Sequence, residues 1–385
     1  MKNIAVIGSG TMGNGIAQVA ATNGCHVILY DISESALQKA KQNIEHNLSK
    51  LSEKNKITEE QKKLFLENIR FTLSLQDIKN AELVIEAIVE NLDIKKKTFQ
   101  ETEQYISPQC ILATNTSSLS VHSMIRELKH PERFLGIHFF NPAPLMPLVE
   151  VIPTILTKSD IVAQSLETLK KWGKTTVIAK DTPGFIVNRI ARPFYGEALR
   201  IYEEGIADIP TIDWTMKHIG GFKMGPFELM DLIGHDVNYV VTETVWTQMY
   251  FDPKYKPSLT QKRLMEAGLL GKKTGRGFYD YSKPLPTEPG IKDEHLHQKI
   301  FMRILSMLIN EAADALYYNI ASAEDIETAM TKGVNYPKGL LHWADELGIS
   351  TVYNELINLY EYYKEDRYRP SVLLKRKIDE NKTFF

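Results

Sequence analysis

Cysteine is scarce in this chain. There are two in 385 residues, Cys25 and Cys110, in no metal-ligand or CxxC spacing. Neither a disulfide framework nor a zinc site is expected, and the two thiols read as small buried apolar residues. An excess of charge of one sign is also missing. The 46 basic and 48 acidic residues leave a net charge of -2, which argues against a generic nucleic-acid binder. No apolar run is long enough to span a bilayer. Met1 leads straight into KNIAVIGSG without an apolar leader or a cleavage site. The expected location is cytoplasmic, with no membrane partner.

What the chain does have is order along its length, which suits two or three domains. The first part alternates short apolar runs with helical patterns. NIAVIG is followed by TMGNGIAQVAATNG, a helix closed by Gly24; HVILYD ends at Asp31. SESALQKAKQNIEHNLSKL reads as a long amphipathic helix with Ser33 as N-cap. AELVIEAIVE, QCILATNT, RFLGIHFF and LVEV are further strand candidates, with helical patterns between them, and KTTVIAKD reads as the last strand. This alternation implies an α/β, Rossmann-type, parallel doubly wound sheet.

After DTPGF the texture becomes helix after helix, so a boundary is expected near residue 183. The polar, proline-rich stretch SKPLPTEPGIKD, residues 282–293, reads as a linker. The expected organisation is a nucleotide-binding domain over 1–182 and two all-α domains over 183–281 and 294–385. The helical parts look related. At an offset of 114 (311 − 197), Glu197 falls on Glu311, Ala207 on Ala321, Met216 on Met330, Gly225 on Gly339, Asp231 on Asp345 and Gly234 on Gly348. Six matches in one register point to an internal duplication.

AVIGSGTMGNGIA holds Gly8, Gly10 and Gly13 in G-x-G-x-x-G spacing, with Thr11 and Met12 inside the turn. The motif follows a strand and opens a helix, the context that gives it meaning. The glycines let the backbone approach a pyrophosphate, and the helix N-terminus supplies amide donors. Asp31 closes the second strand, where a carboxylate accepts from ribose hydroxyls and repels a 2′-phosphate. Ile32 and Ser33 follow it, not an arginine, which favours NAD as the cofactor over NADP.

GIHFFNPAPLMPLVEV, residues 136–151, is nearly all apolar yet carries His138 and Glu150. Buried ionisable groups cost free energy unless paired. An NAD enzyme that oxidises an alcohol needs a base, and histidine titrates near neutrality. A carboxylate can hold the ring and stabilise the imidazolium. A lone His on an apolar strand is more often a satisfied core residue; downstream of a dinucleotide site and with a Glu in reach, a catalytic pair is the stronger reading.

Six stretches, GSGTMGNGIA, VIEAIVENL, ATNTSSLS, GIHFFNPAPLMPLVEV, DTPGFIVNR and GKKTGRGFYDY, occur in the order and spacing of the 3-hydroxyacyl-CoA dehydrogenase family, which includes 3-hydroxybutyryl-CoA dehydrogenases. The chain resembles that family over residues 1 to about 281. The resemblance implies oxidation of an L-3-hydroxyacyl-CoA to the 3-ketoacyl-CoA with hydride passed to NAD, in fatty-acid β-oxidation or butanoate metabolism. It implies His138 as general base, Glu150 as its orienting partner, and Ser117 and Asn188 as hydrogen-bonding groups at the substrate's 3-oxygen and thioester. Ser117 also reads as an N-cap of LSVHSMI. Glu90, Lys95, Asn141 and Lys273 match positions that contact NAD in the family; taken singly, Glu90 and Lys95 pass as solvated helix charges. The acyl-CoA would meet SKLSEKNKITEEQKK, where Lys54 matches a CoA-contacting lysine, while Asn47 stands in place of the family's serine. For most of these lysines a solvated helix face is the plainer reading. Other readings are a relative acting on a different 3-hydroxy acid, such as a sugar acid, and a non-catalytic NAD-binding module.

The offset puts Met302 opposite Asn188 and carries Lys273 past the chain end. The second copy is therefore expected to lack the catalytic amide and the GKKTGRGFY tail. Multifunctional relatives carry two such domains packed on each other. A monomer with an intrachain pseudo-dimer of helical domains is the resulting expectation, a homodimer the other.

Overall fold

A computed structural model describes residues 1–385. The chain divides into two compact units, Met1–Asp181 and Thr182–Phe385.

The first unit runs β1 (Asn3–Ile7), α1 (Thr11–Thr22), β2 (His26–Tyr30), α2 (Glu34–Glu53), α3 (Glu59–Glu67), β3 (Ile69–Thr72), β4 (Leu83–Glu86), α4 (Leu92–Thr102), β5 (Ile111–Thr114), β6 (Phe134–Phe139), β7 (Leu148–Pro153), α5 (Ser159–Lys171) and β8 (Thr175–Ile178). One sheet holds all eight strands in the order β3-β2-β1-β4-β5-β6-β7-β8. Its core joins Ile4, Val6, Ile85, Ala113 and Ile137 to Ile16 and Ala20 of α1 and Ile44 of α2. Ser33 caps α2 as expected, accepting from the Ala36 amide.

Three expectations need correction. The sheet is not wholly parallel, because β7 runs antiparallel to β6. Only residues 140–147 connect them, and a parallel crossover needs a dozen or more residues. The apolar run AELVIEAIVE is strand only to Glu86. There the Glu86 carboxylate accepts from the Ile88 amide at 2.7 Å, turning the chain. Between β5 and β6 lie short 3-10 turns at His122–Met124 and Pro131–Arg133 instead of an α-helix. Ser117 therefore caps nothing; the first of those turns follows Val121 with no side-chain cap.

The second unit is helical: α6 (Val187–Ile190), α7 (Arg192–Glu203), α8 (Ile209–His218), α9 (Pro226–Ile233), α10 (His235–Gln248), α11 (Leu259–Glu266), then α12 (Glu294–Tyr317), α13 (Ala323–Gly333), α14 (Leu340–Leu347), α15 (Ile349–Tyr363) and α16 (Val372–Asp379). Helices α7–α11 and α12–α16 repeat one plan. Gly225 and Gly339 open α9 and α14. A Cβ on Gly225 would fall 2.3 Å from the Asp213 carboxyl carbon, and one on Gly339 1.7 Å from Glu327 Oε2. Those two acids accept from matching amides, Phe227 and Glu228 in one copy, Leu341 and His342 in the other.

The second copy lacks the GKKTGRGFY stretch but keeps a counterpart of its docking end. Asp231 accepts from the amides of Phe278 and Tyr279, and Asp345 accepts from Phe384 and Phe385. Two terminal phenylalanines thus dock where GFYDY docks in the first copy, at a shortened offset that sequence alignment at 114 skips. Between the copies, α7 packs on α12. Arg189 Nε meets Glu311 Oε1 at 2.6 Å, and Arg303 Nε meets Glu197 Oε2 at 3.0 Å. Tyr255 and Tyr368 donate to the same two glutamates. Each copy gives the other the same arginine–glutamate contact, the signature of a two-fold interface. Residues 282–293 form no helix or strand, but the Ile291 amide is tied to Thr211 Oγ1 at 2.9 Å.

Candidate active site

In an open α/β sheet, ligands gather outside the C-terminal ends of the parallel strands. The ends of β1, β4, β5 and β6 bring Gly8, Glu86, Asn115 and His138 to that edge.

Gly8 has φ +96°, a left-handed conformation that favours glycine, and a Cβ there would meet Ala87 O at 2.7 Å. A Cβ on Gly13 would lie 1.8 Å from Gly8 O. These two glycines close the β1–α1 turn. Gly10 differs: a Cβ built on it meets nothing within 4 Å. It is also the N-cap of α1 and gives that helix no side-chain cap. Gly10 thus leaves room at the N-terminus of α1, where first-turn amides lack intrahelical acceptors, the arrangement a pyrophosphate needs. Asp31 stands beside it, its Oδ2 accepting from the Ser9 amide at 2.7 Å and hydroxyl at 2.8 Å, and Oδ1 from the Ser33 amide. These residues fit a dinucleotide whose ribose hydroxyls face Asp31.

His138 and Glu150 are direct partners across β6 and β7. The antiparallel hairpin that corrects the sheet topology is what sets them face to face. Both are buried, and His138 Nδ1 lies 2.7 Å from Glu150 Oε2. A carboxylate only accepts, so Nδ1 carries the proton and Nε2 is the nitrogen that can take one. The connecting turn is held by Lys174, whose ammonium donates to the carbonyls of Ala143 and Met146 at 2.6 and 2.8 Å. Burial with no carboxylate partner pushes that lysine down to about 8. Asn115 Oδ1 accepts from the Phe139 amide at 2.9 Å and pins the residue after His138. Asn141 sits exposed at the start of the turn.

Glu90 and Lys95 are not solvated helix charges. Lys95 is 1% exposed and bridges Glu86 at 2.6 Å and Glu90 at 3.2 Å. Burial raises the Glu86 carboxyl above its usual range despite the lysine. Burial also opposes ionisation of Glu90, but Lys95 and the hydroxyls of Thr116 and Ser118 outweigh it and hold Glu90 low. Glu90 Oε1 gathers the Thr116 and Ser118 hydroxyls and the Ser117 and Ser118 amides, at 2.5 to 3.3 Å. The loop that carries Ser117 is therefore wrapped around a carboxylate.

Asn47 and Lys54 lie exposed on α2 and at its C-cap; Asn47 reaches Gln18 Oε1 at 3.3 Å. Asn188 and Lys273 belong to the helical unit. Asn188 lies on α6, and Lys273 pairs with Asp236 at 2.5 Å. Sequence reasoning missed Glu86, Asn115 and Lys174. Glu86, as the one acid inside an apolar run, was the only one that carried a signal. It also missed four other His–acid pairs, His122–Asp181, His130–Glu132, His235–Asp231 and His342–Glu327. In His122 and His235 the second ring nitrogen is engaged as well, by the Ile155 amide and by Gln261. No group of three or more His, Cys, Asp or Glu is placed to hold a metal, and no helix is long and apolar enough to cross a membrane.

The chain matches two family models. That of the 3-hydroxyacyl-CoA dehydrogenase NAD-binding domain covers residues 3–182. That of the C-terminal domain matches twice, over 184–281 and 300–383. A 3-hydroxyadipyl-CoA dehydrogenase of Escherichia coli is 37% identical, covering 98% of this chain and 97% of its own. A probable 3-hydroxybutyryl-CoA dehydrogenase of Deinococcus radiodurans is 44% identical over 72% of this chain and 99% of its own. A solved structure of 3-hydroxybutyryl-CoA dehydrogenase from Escherichia coli K12 superposes with a TM-score of 0.92 at 36% identity, covering 98% of each chain. With a cofactor turn, a buried His–Glu pair and a twice-matched helical domain in one chain, this protein belongs to the 3-hydroxyacyl-CoA dehydrogenase family of NAD-dependent oxidoreductases.

Proposed function

We propose that the protein interconverts an L-3-hydroxyacyl-CoA and its 3-ketoacyl-CoA, with His138 as the base. The observation that carries this is the buried His138–Glu150 pair at the C-terminal edge of the sheet. Bound NAD supplies the hydride acceptor. His138 Nε2 takes the 3-hydroxyl proton as the C3–H bond breaks, and Glu150 balances the charge that appears on the ring. Ser117 and Asn188 donate to substrate oxygen, favouring the alkoxide-like transition state in either direction. Glu90 holds the Ser117 loop in shape, and Lys95 acts on the cofactor side through Glu90. The family resemblance assigns Asn141 and Lys273 to cofactor contacts and Lys54, with Asn47, to the CoA moiety.

Residues 183–281 and 294–385 act as two copies of one domain, and the reciprocal Arg189–Glu311 and Arg303–Glu197 contacts stand in for a subunit interface. A single chain mass on light scattering is the expected result; twice that mass through the α7 face would overturn it. Relatives are named for 3-hydroxybutyryl-CoA and for 3-hydroxyadipyl-CoA, whose acyl chain ends in a carboxylate. The test of the reaction is NADH consumption with acetoacetyl-CoA beside free acetoacetate. Turnover of the CoA ester alone is expected. No turnover with either, while NADH binds, would refute the assignment.

A further inference from the structure

Three lysines of the chain are buried: Lys95, Lys174 and Lys254. Lys95 bridges Glu86 and Glu90, and Lys254 meets Asp314. Lys174 has no carboxylate in ion-pair range. Its ammonium donates to two main-chain carbonyls, Ala143 at 2.6 Å and Met146 at 2.8 Å. A buried cation that faces neutral acceptors alone is costly. No charged side chain of α1, α5, β8 or the turn bears on it; burial alone pushes it down to about 8. A charge kept at the expense of stability is a mark of function.

What Lys174 holds is the turn between β6 and β7. Residues 140–147 include Pro142, Pro144 and Pro147, which have no amide hydrogen to tie the turn together. The turn's own main-chain bonds run from the Leu145 and Met146 amides to the Pro142 carbonyl, at 2.9 and 3.0 Å. On its other side lies α1: a Cβ built on Gly15 would fall 3.2 Å from Ala143 Cβ and 3.2 Å from Pro144 Cδ. The turn is thus pressed between the helix that opens at the glycine turn and the Lys174 ammonium. The backbone of Lys174 is itself fixed. Its amide donates to the Leu169 carbonyl at the end of α5, and the next amide, Thr175, donates to the Pro147 carbonyl at 2.8 Å. His138 stands just before this turn and Glu150 just after it.

We infer that Lys174 is a positioning residue for the proposed reaction: by gathering the Ala143 and Met146 carbonyls it fixes the turn against α1, and so sets where the His138–Glu150 pair stands relative to the cofactor helix. This rests on His138 being the base. The β6–β7 ladder sets the register of the pair; Lys174 sets the placement of the ladder's turn end. Placement matters because a displacement of ~1 Å at a reacting group can cost about a hundredfold in rate.

The test is Lys174→Met, which keeps the length of the side chain and removes the charge, with Lys174→Arg beside it. Three quantities are read: steady-state constants with acetoacetyl-CoA and NADH, the NADH Kd by calorimetry, and the melting temperature at pH 7. In Lys174→Met, kcat should fall at least tenfold, with KM and the NADH Kd within threefold and a melting temperature no lower than that of the wild type. Lys174→Arg keeps the charge and the donors and should recover part of kcat. A merely structural lysine would lose rate and stability together. The inference is overturned by a folded Lys174→Met enzyme with kcat within threefold of wild type, by a loss of kcat that tracks a fall in melting temperature, or by an equal loss of NADH affinity. If Lys174→Met does not fold, Gly15→Ala decides. Its methyl presses the turn from the α1 side with Lys174 intact, and kcat should fall at least threefold at unchanged NADH affinity; an unchanged kcat overturns the inference. A wild type that turns over no 3-ketoacyl-CoA would bring down the reaction as well, whereas an active wild type beside an unimpaired Lys174→Met brings down the role of Lys174 alone.

Discussion

Glu150→Gln is the sharpest probe of the proposed chemistry. The amide is nearly isosteric and can still accept from Nδ1, so the ring stays in place; what is lost is a negative charge 2.7 Å from it. At an effective dielectric of about 20, a full charge pair at that distance interacts by ~6 kcal/mol. The imidazolium is only partly formed in the transition state, so about half of that, ~3 kcal/mol, bears on the rate. At 1.36 kcal/mol per tenfold, kcat should fall roughly a hundredfold. NAD affinity should not move, because the glycine turn and Asp31 are on other strands. The assay is steady-state NADH oxidation with acetoacetyl-CoA, with NADH binding measured separately and a thermal melt as control. A folded Glu150→Gln enzyme with kcat within threefold of wild type would refute the role given to the pair.

Gly10→Ala should leave the fold intact, since the added Cβ meets no atom within 4 Å, yet weaken NAD binding more than tenfold in a calorimetric titration; Gly13→Ala should disturb the fold itself, by clash with Gly8 O. Glu311→Gln strands the buried Arg189 guanidinium and should cost about 3–5 kcal/mol of stability in denaturant melts, with the helical unit losing protection first in hydrogen exchange. Lys174 titrates near 8 when folded against 10.5 when free. Over that window the unfolded chain holds the extra proton, so stability should rise with pH; Lys174→Met should flatten that rise in melts between pH 8 and 10.5. Glu90→Gln should raise KM for the CoA ester and lower kcat as the Ser117 loop loosens, read by the same NADH assay.

The nucleotide site was legible because it is local. Gly8, Gly10, Gly13 and Asp31 lie on one β-α-β stretch, and a short run of backbone geometry dictates their spacing. His138 and Glu150 could be suspected as a pair, since two ionisable groups in one apolar run need each other. That they oppose each other in register depends on the hairpin, whose direction follows from a connection too short to cross over. The ion-pair network of Glu86, Glu90 and Lys95 was not legible. Each is an ordinary charge along the chain, and only burial against β5 and its following loop turns them into a network.

The duplication shows the same division. Six matches at an offset of 114 reveal two copies in the sequence by itself, because glycines at Gly225 and Gly339 have no room for a side chain. The return of Phe384 and Phe385 to Asp345 lies outside that register; the reciprocal arginine–glutamate contacts lie within it, since 303 − 189 and 311 − 197 are both 114, but that each arginine crosses to the other copy's glutamate is set by the fold. Local patterns determine which elements form and where a backbone must be bare. Which buried charge finds a partner, and that Lys174 alone among the buried lysines finds no carboxylate, is decided only when distant segments share one interior, since the cost of an unpaired charge depends on what surrounds it rather than on its neighbours in the chain.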